Sequence, residues 1–251
     1  MSNQIPKINI LNTEIVDLSM AETISLVKET IETHKSINLT DINAGKIIQI
    51  KGDPNMQKYV ADSDVIQADG QAIIWASNFL NKPLKERVAG IDLVHNLAEM
   101  AHKNGFKIFL FGAKEEVVKK VKEKFSNEFN STLIAGYRNG YFKLEDEPEI
   151  AEQISKSGAN ILFVGITSPI QERFLYQNKE ILKGVNFKMG VGGSFDVISG
   201  KTKRAPQWMQ KSGLEWFYRF LQEPKRMWKR YLVGNTKFIM LVFREKFFSN
   251  K

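Results

Sequence analysis

The chain has 251 residues, a formal net charge of +8, 43% hydrophobic residues and no cysteine. This length suits one α/β domain with an appendage, and the absence of cysteine excludes disulfides, thiolate metal sites and a cysteine nucleophile. The N-terminus lacks the basic start and apolar run of a signal peptide, and no run approaches the roughly 18 apolar residues of a membrane span, so we expect a cytoplasmic protein.

The positive charge is concentrated at one end of the chain. Residues 201–251 contain 13 Lys or Arg against 3 Asp or Glu, and three of the four Trp, whereas residues 1–200 contain 23 basic and 25 acidic side chains. This asymmetry predicts a catalytic core at 1–200 and a basic, aromatic, helical C-terminal appendage at 201–251. Such an appendage favours an anionic partner: nucleic acid, anionic lipid or a phosphorylated substrate.

The first elements are predicted to be two short strands at 8–11 and 14–18, with a turn at 12–13. Ser19 and Glu22 have the spacing of a capping box, which predicts that a helix begins there. The apolar residues that this helix is expected to bury at helical spacing are Ile24, Val27 and Ile31.

Apolar strands then alternate with amphipathic helices. The predicted strands lie at 37–43, 65–70, 107–112, 160–165 and 186–193, and helices are predicted at 44–52 and 114–129 among them. This alternation is typical of parallel βαβ units, so the predicted fold is a Rossmann-like α/β core with a mainly parallel sheet flanked by helices. Ligands bind at the carboxyl ends of such strands. That rule places Asp41, Asn43, Asp69, Gly112, 167–171 and 190–194 around one cleft.

Asp69 ends an apolar strand and precedes Gly70. A partly buried carboxylate there can act as a general base, although an Asp-Gly pair is also an ordinary turn. The acidic pair Asp62 and Asp64 precedes the same strand, so we expect it at the opposite end of the sheet, as a turn without metal. His34, His95 and His102 are scattered and are expected on helix surfaces. No metal site is predicted.

The segment Gly190-Val191-Gly192-Gly193-Ser194-Phe195 resembles the start of a dinucleotide fingerprint, but Phe195 replaces the third glycine. An NAD(P)-binding oxidoreductase therefore remains one alternative, and a loop whose amides approach a phosphate is the other. Arg87 is either a phosphate clamp or part of a solvated charged turn.

Basic and aromatic residues are interleaved in the appendage. Arg226 and Arg230 share a helix face, and a turn at Pro224 brings Arg219 towards them. Such a segment suits a membrane interface, or stacking on bases in a nucleic-acid-binding protein.

Several motifs taken together resemble the WecG/TagA/CpsF glycosyltransferases over residues 10–245. They are Asp69-Gly70, Glu86-Arg87-Val88-Ala89-Gly90, Pro169-Ile170-Gln171-Glu172, Gly190-Val191-Gly192-Gly193, Arg204-Ala205-Pro206, Gly213-Leu214-Glu215-Trp216, Arg219 and Glu223-Pro224-Lys225-Arg226. The resemblance implies a metal-independent, cofactor-free, inverting transfer of a sugar from a UDP-sugar to a polyprenyl-diphosphate-linked sugar in teichoic acid or polysaccharide synthesis. It also implies peripheral attachment to the inner face of the cell membrane. Nucleic acid is then not expected as a partner, and a homo-oligomer is allowed.

By this resemblance Asp69 is the catalytic base. The resemblance also implies substrate binding by Asn43, Gln171, Arg219, Arg226 and Arg230. The other residues expected to bind substrate are Thr40, Arg87, Gly112, Gly190, Gly192, Gly193 and Arg204. One position departs from the family pattern, because Asp41 stands where members commonly have Thr, two residues before the pocket Asn. Asp41 is therefore either a ligand for a sugar hydroxyl or a competitor of Asp69 for the role of base.

Overall fold

The computed structural model describes residues 5–228 and 232–248, without the side chains of Arg226 and Met227. Its centre is a six-stranded sheet in which every neighbouring pair is parallel, in the order β4-β3-β8-β7-β5-β6. The strands are β3 (Ile37–Ile42), β4 (Val65–Ala68), β5 (Ile108–Gly112), β6 (Ile134–Arg138), β7 (Ile161–Gly165) and β8 (Phe187–Gly190).

A separate antiparallel hairpin precedes the sheet, formed by β1 (Lys7–Ile10) and β2 (Thr13–Val16). Its turn consists of Leu11 and Asn12, with φ of 53° and 62°, which is one residue earlier than the sequence predicted. Two successive left-handed residues match the twist of a two-residue hairpin.

Thirteen α-helices surround these strands in the described part of the chain. Those of the first 200 residues are α1 (Met20–Glu32), α2 (Ala44–Gly52), α3 (Pro54–Ala61), α4 (Gln71–Phe79), α5 (Gly90–Asn104), α6 (Glu115–Glu128), α7 (Glu147–Lys156), α8 (Ile170–Gln177) and α9 (Ser194–Ile198). Those that follow are α10 (Gln207–Lys211), α11 (Glu215–Gln222), α12 (Pro224–Trp228) and α13 (Gly234–Phe248). The capping box of Ser19 and Glu22 is present at the start of α1. Val27 and Ile31 are buried as predicted, and Ile24 is half-buried.

The helices cover both faces of the sheet. Helices α1, α5, α6 and α9 pack on one face, and their shared core includes Leu110, Phe163 and Phe195. Helices α2, α4, α7, α8 and α13 supply the cores on the other face. Because both faces are buried, the central strands β5 and β7 are continuous apolar runs. The predicted α/β fold, a parallel sheet flanked by helices, is confirmed.

The last helix is part of this core. Phe238 and Val242 of α13 are buried in the same cluster as Ile42, Ala44 and Ile47, and α13 packs against α2. Because Ala205 and Met209 are buried as well, the segment after residue 200 is in contact with the globular body both before and at this helix. Most large apolar side chains exposed after residue 200 lie on α10, α11 and α13: Trp208, Trp216, Phe217, Leu221, Ile239, Met240, Phe243, Phe247 and Phe248.

Candidate active site

The carboxyl ends of β3 and β4 meet at one edge of the sheet. The backbone amides of Asp69 and Gly70 both donate to the carbonyl oxygen of Ile42, at 3.0 and 3.3 Å. A Cβ atom at Gly70 would lie 2.9 Å from the Cβ of Asn43, so glycine permits this close approach. Asp69 is thereby held beside the residues that follow β3.

Asp69 is half-buried, and its Oδ1 accepts a hydrogen bond of 2.7 Å from the amide of Gly90 at the start of α5. Burial and the neighbouring Asp41 carboxylate raise the pKa of Asp69 to about 6, with a smaller contribution from Glu215. The Gly90 hydrogen bond and the Arg87 guanidinium oppose this rise. A carboxylate with such a pKa accepts a proton efficiently near neutral pH.

Asp41 does not stand alone at the end of β3. Lys46 of α2 places its Nζ 2.9 Å from Asp41 Oδ1 and 3.0 Å from Glu172 Oε1. Lys46 and Glu172 are both buried. Burial disfavours the charged lysine, but the two carboxylates outweigh it and raise the pKa of Lys46 above its ordinary range. This ion network was not predicted from the sequence.

Asn43 is the N-cap of α2, and its side-chain oxygen accepts from the Lys46 amide at 3.1 Å. This bond begins the helix at the residue that follows β3 and turns Lys46 towards Asp41. Thr40 does not join the group, since its hydroxyl lies 2.7 Å from that of Ser63, which precedes β4.

Gln171 is buried under the loop that follows β8. The Gly192 amide donates to Gln171 Oε1 at 3.2 Å, and the Gln171 amide donates to Glu172 Oε1 at 2.8 Å. A Cβ at Gly190 would lie 2.7 Å from the Gln171 side chain, and Gly192 has φ of +48°. Gly190 is needed because a side chain there would collide with Gln171, and Gly192 because its backbone is left-handed.

The same loop meets the appendage on its other side. A Cβ at Gly193 would lie 3.3 Å from Nη2 of Arg219, which is on α11. Gly112 has a different environment. A Cβ there would lie 2.5 Å from the Gly165 backbone, so the close packing of β5 against β7 requires glycine at this position.

Glu215 of α11 links the appendage to the core. Its Oε2 lies 3.1 Å from Arg87 Nη2, and its Oε1 lies 3.5 Å from Arg204 Nε. Arg204 also forms a two-bond pair with Asp92 of α5, at 2.6 and 2.7 Å. Arg87 thus faces Asp69, Arg219 lies beside the glycine loop (residues 190–193), and Arg204 reaches this region through its pairing with Glu215. Arg230 and the Arg226 side chain lie outside the described residues.

The acidic pair lies where the sequence predicted. Asp64 accepts from the Asn38 amide and Asp62 pairs with Lys179, both at the amino ends of the strands. His95 and His102 are exposed on α5 as predicted, whereas His34 lies in the turn after α1 with φ of 54°, so its predicted place on a helix is wrong. In the described ranges, no three His, Asp or Glu side chains are grouped as a metal site would require.

Phe195, at the position of the third fingerprint glycine, is fully buried. Its ring occupies the space that a Cβ at Gly165 would need, with a contact of 2.4 Å. Phe195 is therefore a core residue at the position where a dinucleotide fingerprint requires a glycine.

None of the described helices combines the length and the apolar character that crossing a membrane requires.

Comparison with known proteins identifies the family. A model of the "Glycosyl transferase WecG/TagA/CpsF family" matches residues 8–251. The chain is 39% identical over 188 residues to an N-acetylglucosaminyldiphosphoundecaprenol N-acetyl-beta-D-mannosaminyltransferase of Bacillus subtilis (strain 168), covering 74% of this chain and 71% of the relative. It is 31% identical over 234 residues to a protein of the same name from Bacillus spizizenii (strain ATCC 23059 / NRRL B-14472 / W23), covering 93% and 89%. The protein therefore belongs to the WecG/TagA/CpsF family of glycosyl transferases.

Proposed function

We propose that the protein transfers N-acetylmannosamine, or a related hexose, from a UDP-sugar to a polyprenyl-diphosphate-linked N-acetylglucosamine, with inversion. The names of the two Bacillus relatives specify this acceptor class and a β-linked product for those proteins. The observation that carries the mechanism is Asp69, a half-buried carboxylate with a raised pKa at the strand ends, held by the Gly90 amide and faced by Arg87.

In the proposed step, Asp69 takes the proton of the acceptor hydroxyl. The hydroxyl oxygen then bonds to C1 of the donor sugar, on the face opposite the diphosphate. The bond between C1 and the diphosphate oxygen breaks, and UDP leaves with the electron pair. One base and one departing anion are what an inverting transfer requires.

The departing diphosphate is stabilised in this proposal by arginines and backbone amides, and no metal is invoked. Arg87, Arg204 and Arg219 are the described arginines assigned to this role, and guanidinium groups bind phosphate oxygens in pairs. Glu215 pairs with Arg87 and Arg204, and Asp92 pairs with Arg204, so both carboxylates have to move aside when these arginines bind phosphate. Arg226 and Arg230 remain proposed contacts for the acceptor diphosphate.

A lipid-linked acceptor requires access to the membrane surface. We assign this role to the appendage, whose exposed aromatic side chains include Trp208, Trp216 and Phe217 and whose net charge is positive. Aromatic rings favour the interface, and each Lys or Arg near anionic lipid adds about 1 kcal/mol. The protein would then act as a peripheral enzyme on the inner membrane face.

The test is UDP release from UDP-N-acetylmannosamine with a short-chain polyprenyl-diphosphate N-acetylglucosamine. Wild-type protein is expected to release UDP only when the acceptor is present, and Asp69→Asn to be slower by about 10²- to 10⁴-fold. Asp62→Asn is the matched control at the opposite end of the sheet and should keep the wild-type rate. Equal rates for Asp69→Asn and wild type would overturn the assignment of the base.

A further inference from the structure

We propose that Lys46 is a positioning residue for the transfer site: it ties Asp41 to Glu172 and thereby fixes the Gln171 amide under the glycine loop. This inference builds on the proposed function, but its evidence is the ion network itself. Within the described part of the chain, the Lys46 ammonium pairs with Asp41 and Glu172 and not with Asp69 or the glycine loop, so its influence passes through these two carboxylates.

The network is continuous from one strand end to the next. Asp41 lies near the end of β3, Lys46 lies on α2, and Glu172 and Gln171 lie on α8. The links are 2.9 Å from Asp41 to Lys46, 3.0 Å from Lys46 to Glu172, 2.8 Å from Gln171 to Glu172, and 3.2 Å from Gly192 to Gln171. Each link fixes the orientation of the next side chain.

The direction of the Gln171 amide depends on Glu172. An amide side chain can present either its oxygen or its NH₂ group to a neighbour. Because the carboxylate of Glu172 accepts from the Gln171 NH₂ group, the Gln171 oxygen is directed to the Gly192 amide. The Gly192 amide selects the same orientation, and the ion network supports it by holding the Glu172 carboxylate in place.

Glu172 depends in turn on Lys46. Only 5% of Glu172 is exposed, and its Oε2 has no hydrogen-bond partner among the described residues. Burial raises the pKa of this carboxyl, but the charge of Lys46 and the hydrogen bonds from Gln171 and Lys46 outweigh burial and keep it below its ordinary value. Without Lys46, a buried carboxylate would lose its only cationic partner in the described structure.

Lys46 also balances the charge around Asp69. The charged groups that face Asp69 are Asp41 from β3, Arg87 from the loop before α5 and Glu215 from α11, with Lys46 and Glu172 behind Asp41. Asp41 disfavours the ionised form of Asp69, and Lys46 offsets part of that effect. The Asp41 that departs from the family pattern is therefore accompanied by its own cation.

The experiment measures the titration of the Asp69 carboxyl by ¹³C NMR and the hydrogen exchange of the Gly192 amide, both on the full chain without substrate. Asp69→Asn identifies the Asp69 signal. Lys46→Met is expected to raise the Asp69 midpoint by about 1 pH unit and to speed exchange at Gly192. Glu172→Gln removes negative charge instead, and is expected to lower the midpoint. Lys51→Met, an exposed lysine of the same helix, should change neither.

Shifts of the Asp69 midpoint in opposite directions in Lys46→Met and Glu172→Gln support the proposal. If both variants keep the wild-type Asp69 midpoint and the wild-type exchange rate of the Gly192 amide, the proposal is wrong. If Lys46→Met does not fold, the result for Glu172→Gln alone decides the question. In turnover, Lys46→Met should lower kcat by roughly 100-fold with little change in KM, as expected for misplaced groups. Absence of sugar transfer by wild-type protein would refute the proposed function, and the NMR result would still decide the role of Lys46.

Discussion

The packing of α13 into the core makes a quantitative prediction about the C-terminal segment. Phe238 is 3% exposed and belongs to the cluster that contains Ile42 and Ile47, whereas Phe248 on the same helix is 77% exposed. A buried Phe removes about 200 Å² from water, and at about 25 cal/mol per Å² this gives an upper estimate of about 5 kcal/mol. Phe238→Ala should therefore lower the free energy of unfolding by about 3–5 kcal/mol, the range for Phe truncation in cores.

Urea unfolding of Phe238→Ala and Phe248→Ala compares the two positions within one helix. Phe248→Ala is expected to change the free energy of unfolding by less than about 0.5 kcal/mol, as for other exposed sites. The midpoint and the slope m are both recorded, because an unchanged m shows that stability alone has changed. A Phe238→Ala variant as stable as Phe248→Ala would refute the conclusion that α13 shares the core of the sheet domain.

Two further predictions concern charged groups. Lys188 of β8 is 7% exposed, and burial lowers its pKa from 10.5 to about 8. Below pH 8 the buried charge therefore lowers the free energy of unfolding by about 3 kcal/mol. This cost disappears as the pH rises from 8 to 10.5, because the lysine is then neutral in the native state. Lys188→Met should therefore raise the free energy of unfolding at pH 7 by about 1–3 kcal/mol. This range allows for the loss of the hydrogen bonds from Lys188 to Ser36 and to the Val185 carbonyl. Calorimetry at pH 10.5 should show no such gain. Glu215→Gln removes a carboxylate that raises the pKa of Asp69, so the acidic limb of the pH profile of kcat/KM should move to lower pH; an unmoved limb would contradict the proximity of α11 to Asp69.

Sequence patterns predicted the elements whose signals are local. Strands β5 and β7 are apolar on both faces, and all of β3, β4, β5, β7 and β8 end in glycine or just before a polar residue, so these five could be located from the sequence. The edge strand β6 was missed because all five of its residues are half-buried and no continuous apolar run marks it. The capping box of α1 was predictable because it depends on residues three positions apart.

The candidate site was only partly predictable for a related reason. Asp69, Gln171 and the glycine loop follow strands, so the parallel sheet brings them to one edge. Lys46 was missed because a lysine on a helix is ordinarily solvated, and its burial depends on how α2 and α8 face each other. Arg204 was predicted as a substrate contact, but its pairing with Asp92, 112 residues away, depends on how the appendage docks.

The most direct test of the account is the pH dependence of kcat/KM for UDP release in the presence of the lipid-linked acceptor. The free enzyme's base determines the acidic limb of this profile. Because the pKa of Asp69 is raised to about 6, the account predicts a limb near pH 6 that is absent from the residual activity of Asp69→Asn. A limb near pH 4, the ordinary range of an aspartate, or an Asp69→Asn variant with the full rate and the same limb, would contradict it.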